Sequence, residues 1–147
     1  MTRLKALRNM VIIMVVLLAF QFELGMAVNL SPNLQEVPPV AATLAATGAA
    51  LTKVGGEAVT HAIMGILLTI LAVAVLVLAF ACRSRSVAIM GVLSFLSVAL
   101  AGVNGILFTL SGFKNDGYSH GMATSFLAAF SLHFILLGIL TVRLRRG

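Results

Sequence analysis

Three residues with chemical potential stand at the start of a long apolar run. Glu57, His61 and Gly65 follow one another at intervals of four, so a helix places them on one stripe. An imidazole can ligate a metal or carry a proton, and Gly65 leaves open space one turn below the ring, where a flat ligand can lie. The alternative is that Gly65 is a helix-packing contact and His61 a partly hydrated interfacial side chain.

A second histidine changes the interpretation of the first. His120 opens another apolar run, and small residues, Ala123 and Thr124, follow it on the same stripe. Two neutral imidazoles at similar depth on different helices are what a bis-histidine haem requires. The sequence therefore predicts a haem b near the outer face, with His61 and His120 as the ligands of the haem iron and Gly65 lining the site. Structural or interfacial roles for both histidines stay open.

The remaining polar residues have lesser predicted roles. Glu57 is a possible catalytic carboxylate, and Glu23 and Asn104 are possible proton carriers or orienting groups for a ligand. His133 follows His120 by thirteen residues, which is about 20 Å along a helix, so the two cannot share a site. We expect His133 to hydrogen-bond across the bundle to a serine or a backbone carbonyl. Ligation of a second, inner haem is its alternative role.

The composition explains which elements must carry these residues. Of the 147 residues, 61% are hydrophobic and 10% are charged, whereas a soluble domain has about 25% charged residues. The chain is predicted to be a single all-α domain, an integral membrane four-helix bundle over residues 1–147. Its spans are expected at about residues 9–28, 58–82, 87–113 and 120–142. The lone cysteine, Cys82, excludes an intramolecular disulfide.

The cationic residues predict the orientation in the cell membrane. Eight of the ten lie beside span ends that share one side, so we expect both termini to be cytoplasmic. Because these cationic residues mark the ends of the spans, nucleic-acid binding is not needed to explain the net charge of +6. We interpret the first apolar run as a retained span, with a signal peptide as the alternative. The proline-containing segment 28–56 is then extracytoplasmic, and residues 40–51 are expected to form a short helix over the bundle mouth.

The pattern of Glu57, His61 and His120 on four spans resembles one half of the heme A synthases. That resemblance implies haem ligation by the two histidines and a role for Glu57 near the outer-face site. The chain departs from the family in three ways: Glu57 precedes His61 by four residues instead of three, Ala62 replaces the family's arginine, and the first outer segment lacks the cysteine pair common in bacterial members. The stretch from Gln21 to Leu30 is also similar to the first span of small uncharacterised four-helix membrane proteins.

Two functions from different classes follow. The first is a membrane-embedded haem protein acting in electron transfer or haem modification. The second is a non-catalytic accessory or structural subunit of a larger membrane complex, in which the histidines only form hydrogen bonds. A proton-coupled carrier of small solutes ranks third, behind these two. Four spans give little room for alternating access without an oligomer. The expected partners are the lipid bilayer and either a larger membrane complex or further copies of the chain. Whether the protein is an enzyme stays open.

Overall fold

The computed structural model describes residues 2–146, apart from the side chain of Gln35, and the chain is helical nearly throughout this range. Five α-helices and one short 3₁₀ helix, Pro32–Glu36, make up the fold. The α-helices are α1 (Thr2–Asn29), α2 (Leu44–Val54), α3 (Gly56–Ala81), α4 (Arg85–Leu110) and α5 (Asp116–Arg146). No strand forms within the described residues.

Four of the helices are long and apolar enough to cross a membrane. They contain 28, 26, 26 and 31 residues, which correspond to roughly 40 Å or more of helix against a hydrocarbon layer of about 30 Å. The predicted multi-pass four-helix bundle is therefore confirmed. The third span was expected to reach residue 113, but α4 ends at Leu110. Its last turn closes with a hydrogen bond from Phe113 N to Phe108 O of 2.9 Å, a typical C-terminal helix stop.

The four long helices form a ring in which each has two neighbours. α1 packs against α3 and α5, and α4 packs against the same two helices. Consequently α3 and α5 face each other across the diagonal. Arg3 Nη1 donates to Ala81 O at 3.1 Å and Arg143 Nη2 donates to Ser86 Oγ at 3.0 Å. Both ends of the chain therefore lie at the end of the bundle that carries the α3–α4 turn, which we name the inner end.

Close approach of small residues holds neighbouring helices together. A Cβ atom added at Gly91 of α4 would lie 2.7 Å from the Cβ of Ala79 on α3, so the two backbones approach more closely than a larger side chain permits. Inside a bilayer, apolar side chains gain little by leaving lipid for protein, and helix association relies on such packing and on hydrogen bonds. Gly91 is therefore a packing residue of the α3–α4 pair.

The opposite end of the bundle, the outer end, is covered by the segment between α1 and α3. Its 3₁₀ helix and α2 pack through a small apolar cluster made of Val28, Val37, Ala50, Val54 and Ala58. The short helix expected over the bundle mouth is thus present, although it begins at Leu44 and ends at Val54. We name residues 30–55 the outer cap.

Local hydrogen bonds shape the outer cap. Thr43 begins α2 by accepting a hydrogen bond from Ala46 N at 3.2 Å through its side chain, as N-cap residues do. Val40 N donates to Leu110 O at 3.1 Å, which ties the cap to α4. At Gly112, φ is +67° and a Cβ would lie 2.6 Å from Val37 O, so only glycine fits where the cap crosses the end of α4.

Gly91→Ala is expected to destabilise the bundle by about 1–3 kcal/mol, because the added methyl overpacks the α3–α4 contact. The measurement is reversible unfolding of the purified protein in mixed detergent micelles. Gly102→Ala on the same helix is the matched control, since a Cβ there meets nothing within 4 Å, and it should be neutral or slightly stabilising. Equal loss of stability in both variants would contradict the packing role of Gly91.

Candidate functional site

The best-defined polar contact within the spans joins α1 to α3. The side-chain amide of Gln21 lies 3.2 Å from His61 Nε2 through its own Nε2 and donates to His61 O, also at 3.2 Å. Because an amide N–H can only donate, the imidazole nitrogen that faces it must accept, and the ring proton resides on Nδ1. One glutamine therefore binds both the ring and the backbone of His61.

Glycines on both helices make room for this contact. A Cβ at Gly25 would lie 3.2 Å from His61 Cε1, and a Cβ at Gly65 would lie 3.7 Å from Gln21 Nε2. The sequence predicted open space for a flat ligand beside Gly65, but the amide of Gln21 occupies that space. Gly65 is thus a packing residue here, which is the alternative stated from the sequence.

His120 has different surroundings. It is exposed on α5, and the next residue, Gly121, packs against α4, where a Cβ would lie 2.6 Å from Asn104 Oδ1. Asn104 itself donates to Leu100 O of its own helix at 2.9 Å, and its side chain packs beside Gly121 of α5. His61 lies on α3, which is diagonally opposite α5, and contacts α1. No described hydrogen bond joins His61 to His120.

This arrangement bears on the predicted haem. The ring nitrogen of His61 that would ligate iron already accepts from Gln21, and His120 lies exposed on a helix that is not its neighbour. Among the described residues, no group of three or more His, Cys, Asp or Glu side chains is placed to hold a metal ion. The haem with His61 and His120 as its ligands stays a prediction to be tested by spectroscopy.

The two outer carboxylates are not arranged around His61. Glu57 is exposed at the first turn of α3, and Glu23 is exposed near the end of α1. Within the described residues neither forms a hydrogen bond to the imidazole, whose side-chain partner is Gln21. Catalytic and proton-carrying roles for these carboxylates stay predictions without a supporting contact.

His133 is the most deeply buried titratable side chain, with no exposed surface. Its Nδ1 lies 2.7 Å from Ala129 O on its own helix. The sequence predicted a bond across the bundle to a serine or a backbone carbonyl; the carbonyl found belongs to the same helix as His133. Sequence reasoning also gave no site role to Gln21 or Ser94, which are both buried. The available signal for Gln21 was an amide within an apolar run; for Ser94, nothing distinguished it from other serines in the spans.

Comparison with known proteins adds no assignment. No protein-family model, curated protein or solved structure matches the chain. The resemblance to the heme A synthases stays a prediction, and function must be argued from the geometry.

The inner end holds the single cysteine, just beyond the last residue of α3. Cys82 lines a shallow depression with Thr2, Arg3, Leu4 and Ala81. Burial raises the pKa of the Cys82 thiol, and the positive charges of Arg3 and Arg143 oppose that rise only in part. The thiol is therefore less ionised at neutral pH than a free cysteine.

Gln21→Leu is expected to destabilise the protein by about 1–2 kcal/mol, because the part-buried ring of His61 loses its partner. Replacing both residues, as Gln21→Leu with His61→Leu, should cost less than the sum of the single changes, since no polar group is left unpaired. Unfolding in mixed micelles measures all three variants, with Phe20→Leu on the exposed side of α1 as a control. Strictly additive losses would show that the Gln21–His61 contact is not formed.

The pH dependence of alkylation tests the environment of Cys82. Because the thiolate is the reactive form, a raised pKa moves the midpoint of the rate-against-pH curve above that of a free cysteine, which is about 8.5. Arg3→Gln removes a charge that favours the thiolate, so its midpoint should move higher still. Iodoacetamide labelling followed by mass spectrometry reports on this thiol alone, since the chain has one cysteine. A midpoint below that of a free cysteine would contradict the burial.

Proposed function

We propose that this protein is a non-catalytic accessory subunit that docks against a transmembrane helix of a larger membrane complex through the outward face of α5. The observation that carries the proposal is the polarity and small size of that face. His120, Thr124, Leu127, Ser131 and Gly138 recur at intervals of three, four or seven residues and are all exposed. They form one continuous line along the helix, which we name the α5 line.

The outward face of α3 provides the contrast. Ile63, Ile66, Ile70 and Val77 are each 61–64% exposed, and large aliphatic side chains of this kind suit contact with lipid chains. The outward face of α5 also exposes large apolar residues, namely Leu127 at 62%, Ile135 at 53%, Phe134 at 49% and Val142 at 47%. It differs from the face of α3 in that polar and small residues stand between them, and this interspersed polarity is what we propose a protein neighbour covers.

Physical chemistry favours a helix as the neighbour of the α5 line. A hydroxyl in hydrocarbon lacks a hydrogen-bond partner unless protein supplies one, and small residues allow a second helix to approach closely. At Gly138 a Cβ would meet nothing within 4 Å, so the backbone of α5 is accessible there. Thr124 and Ser131 can exchange hydrogen bonds with a partner helix at two different depths.

Charge favours a different protein over a second copy. α5 ends in Arg143, Arg145 and Arg146 at the inner end. Two copies in one membrane share the same orientation, so pairing along α5 would bring these cationic ends together. All four acidic residues lie towards the other end, at Glu23, Glu36, Glu57 and Asp116. We therefore expect a partner with carboxylates near the inner end, which the excess of Lys and Arg assigns to the cytoplasm.

Hydrogen bonds within the bundle support the non-catalytic class. His61 is bound by Gln21, and His133 by Ala129 O. The outer cap packs on the bundle mouth through its apolar cluster. The Gln21–His61 contact joins α1 to α3, whereas the His133 bond stays within α5; both agree with the hydrogen-bonded alternative stated from the sequence.

Site-specific photocrosslinking in native membranes tests the docking face. A photoreactive residue at Leu127 should crosslink to a larger membrane protein, whereas the same residue at Ile70 on α3 should crosslink only to lipid. Thr124→Leu with Ser131→Leu should lower recovery of that protein in mild detergent by about tenfold, equivalent to roughly 1.4 kcal/mol. Ile66→Leu with Ile70→Leu is the matched control and should leave recovery unchanged. Crosslinking of Leu127 only to lipid, or only to another copy of the chain, would refute the proposal.

A reduced-minus-oxidised spectrum separates this function from the haem-binding one. Protein purified from cells supplied with haem is expected to show no haem bands. Low-spin bands that disappear in both His61→Ala and His120→Ala, and persist in His133→Ala, would instead establish the bis-histidine haem and overturn the non-catalytic assignment.

A further inference from the structure

Two buried polar side chains lie at the same depth on neighbouring helices. Ser94 of α4 and His133 of α5 both have no exposed surface. The register follows from Gly105 and Met122, which contact each other: a Cβ at Gly105 would lie 3.3 Å from the Met122 sulfur. Ser94 precedes Gly105 by eleven residues, and His133 follows Met122 by eleven. Because α4 and α5 run antiparallel, the two side chains occupy one layer of the bundle.

The hydrogen bonding of His133 defines what its free nitrogen can do. Nδ1 lies 2.7 Å from Ala129 O, and a carbonyl oxygen can only accept, so Nδ1 carries the proton of the neutral ring. Nε2 is then a bare acceptor. It is buried and has no partner among the described residues.

Ser94 presents the complementary group. Several hydroxyls in the spans donate to the carbonyl four residues earlier in their own helix, namely those of Thr60, Thr69, Ser97, Thr109 and Thr141. Ser94 Oγ makes no such bond, and within the described chain it is buried without a partner. Its proton is thus available to a group in the bundle interior.

The neighbouring helices offer nothing to complete these bonds. Apart from Gln21, which binds His61 further out, the buried residues of α1 and α3 are apolar. A buried polar group left unpaired is destabilising, so a partner from outside the chain is favoured. It must accept from a hydroxyl and donate to an imidazole nitrogen, and it must be small enough for a packed core.

We infer that a single water molecule is bound between α4 and α5 in this layer, accepting from Ser94 Oγ and donating to His133 Nε2. Buried waters in proteins occupy such polar positions and make about three hydrogen bonds. The bound water links α4 to α5 without direct contact between the two side chains. It also satisfies Nε2 of the ring, while Ala129 O accepts from Nδ1.

Magic-angle-spinning NMR of the full chain, labelled with ¹⁵N-histidine and reconstituted in lipid, tests the inference with water as the probe. His133 is assigned by loss of its signals in His133→Leu. Its Nδ1 should be protonated and its Nε2 unprotonated, with magnetisation transfer from water to Nε2. In Ser94→Ala this transfer should be lost and the Nε2 resonance should shift towards that of an unbonded nitrogen. Ser97→Ala, whose hydroxyl binds Leu93 O, is the control and should leave both signals unchanged.

Two results would overturn the inference: transfer to Nε2 from the Ser94 hydroxyl alone, which indicates a direct bond, or an Nε2 signal that lacks water contact and ignores Ser94→Ala. Stability provides a second measurement if Ser94→Ala folds poorly. The double variant Ser94→Ala with His133→Leu removes both polar partners and should be no less stable than Ser94→Ala alone. A double variant markedly less stable than the single one would count against the bound water.

Discussion

The absence of water from the hydrocarbon layer is the constraint on which this structure depends. A polar side chain there must find its partner within protein or at a bound water, and apolar side chains gain little by packing on one another in place of lipid. Hydrogen bonds and close backbone contacts therefore determine which helices are neighbours. The amide of Gln21 illustrates this, since it binds His61 through both ring and backbone and so joins α1 to α3.

The same constraint changes how the histidines of this chain are interpreted. Intramembrane ionisable residues are functional candidates by default, yet a hydrogen bond that connects two helices satisfies the same physical requirement. His61 has such a bond with α1, whereas His133 is bound within its own helix and its Nε2 has no partner among the described residues. His120 differs because it is exposed. It belongs to the outward face of α5, for which we propose docking against a partner helix.

Much of the fold could be predicted from the sequence. Apolar runs of about 20 residues separated by basic or polar turns predict four spans, and all four are present. Prolines and alanines between the first two spans predicted a short helix over the bundle mouth, which is α2. The predicted ends of the spans were less accurate than their number. The stop of α4 at Leu110 depends on the positive φ of Gly112 and on the cap passing over it, and this is a contact between distant segments.

For the candidate site, the sequence by itself determined how deep each residue lies along its span. Each residue advances a helix by 1.5 Å, so counting from a span end correctly separated His133 from His120 and placed His61 near the outer end. Only the tertiary structure decided which way each side chain points and which helices lie beside it. The ring order of the helices puts α3 and α5 on a diagonal, which separates His61 from His120 and fills the space beside Gly65 with Gln21. That order results from packing between segments far apart in the chain, which the periodicity within any one helix does not contain.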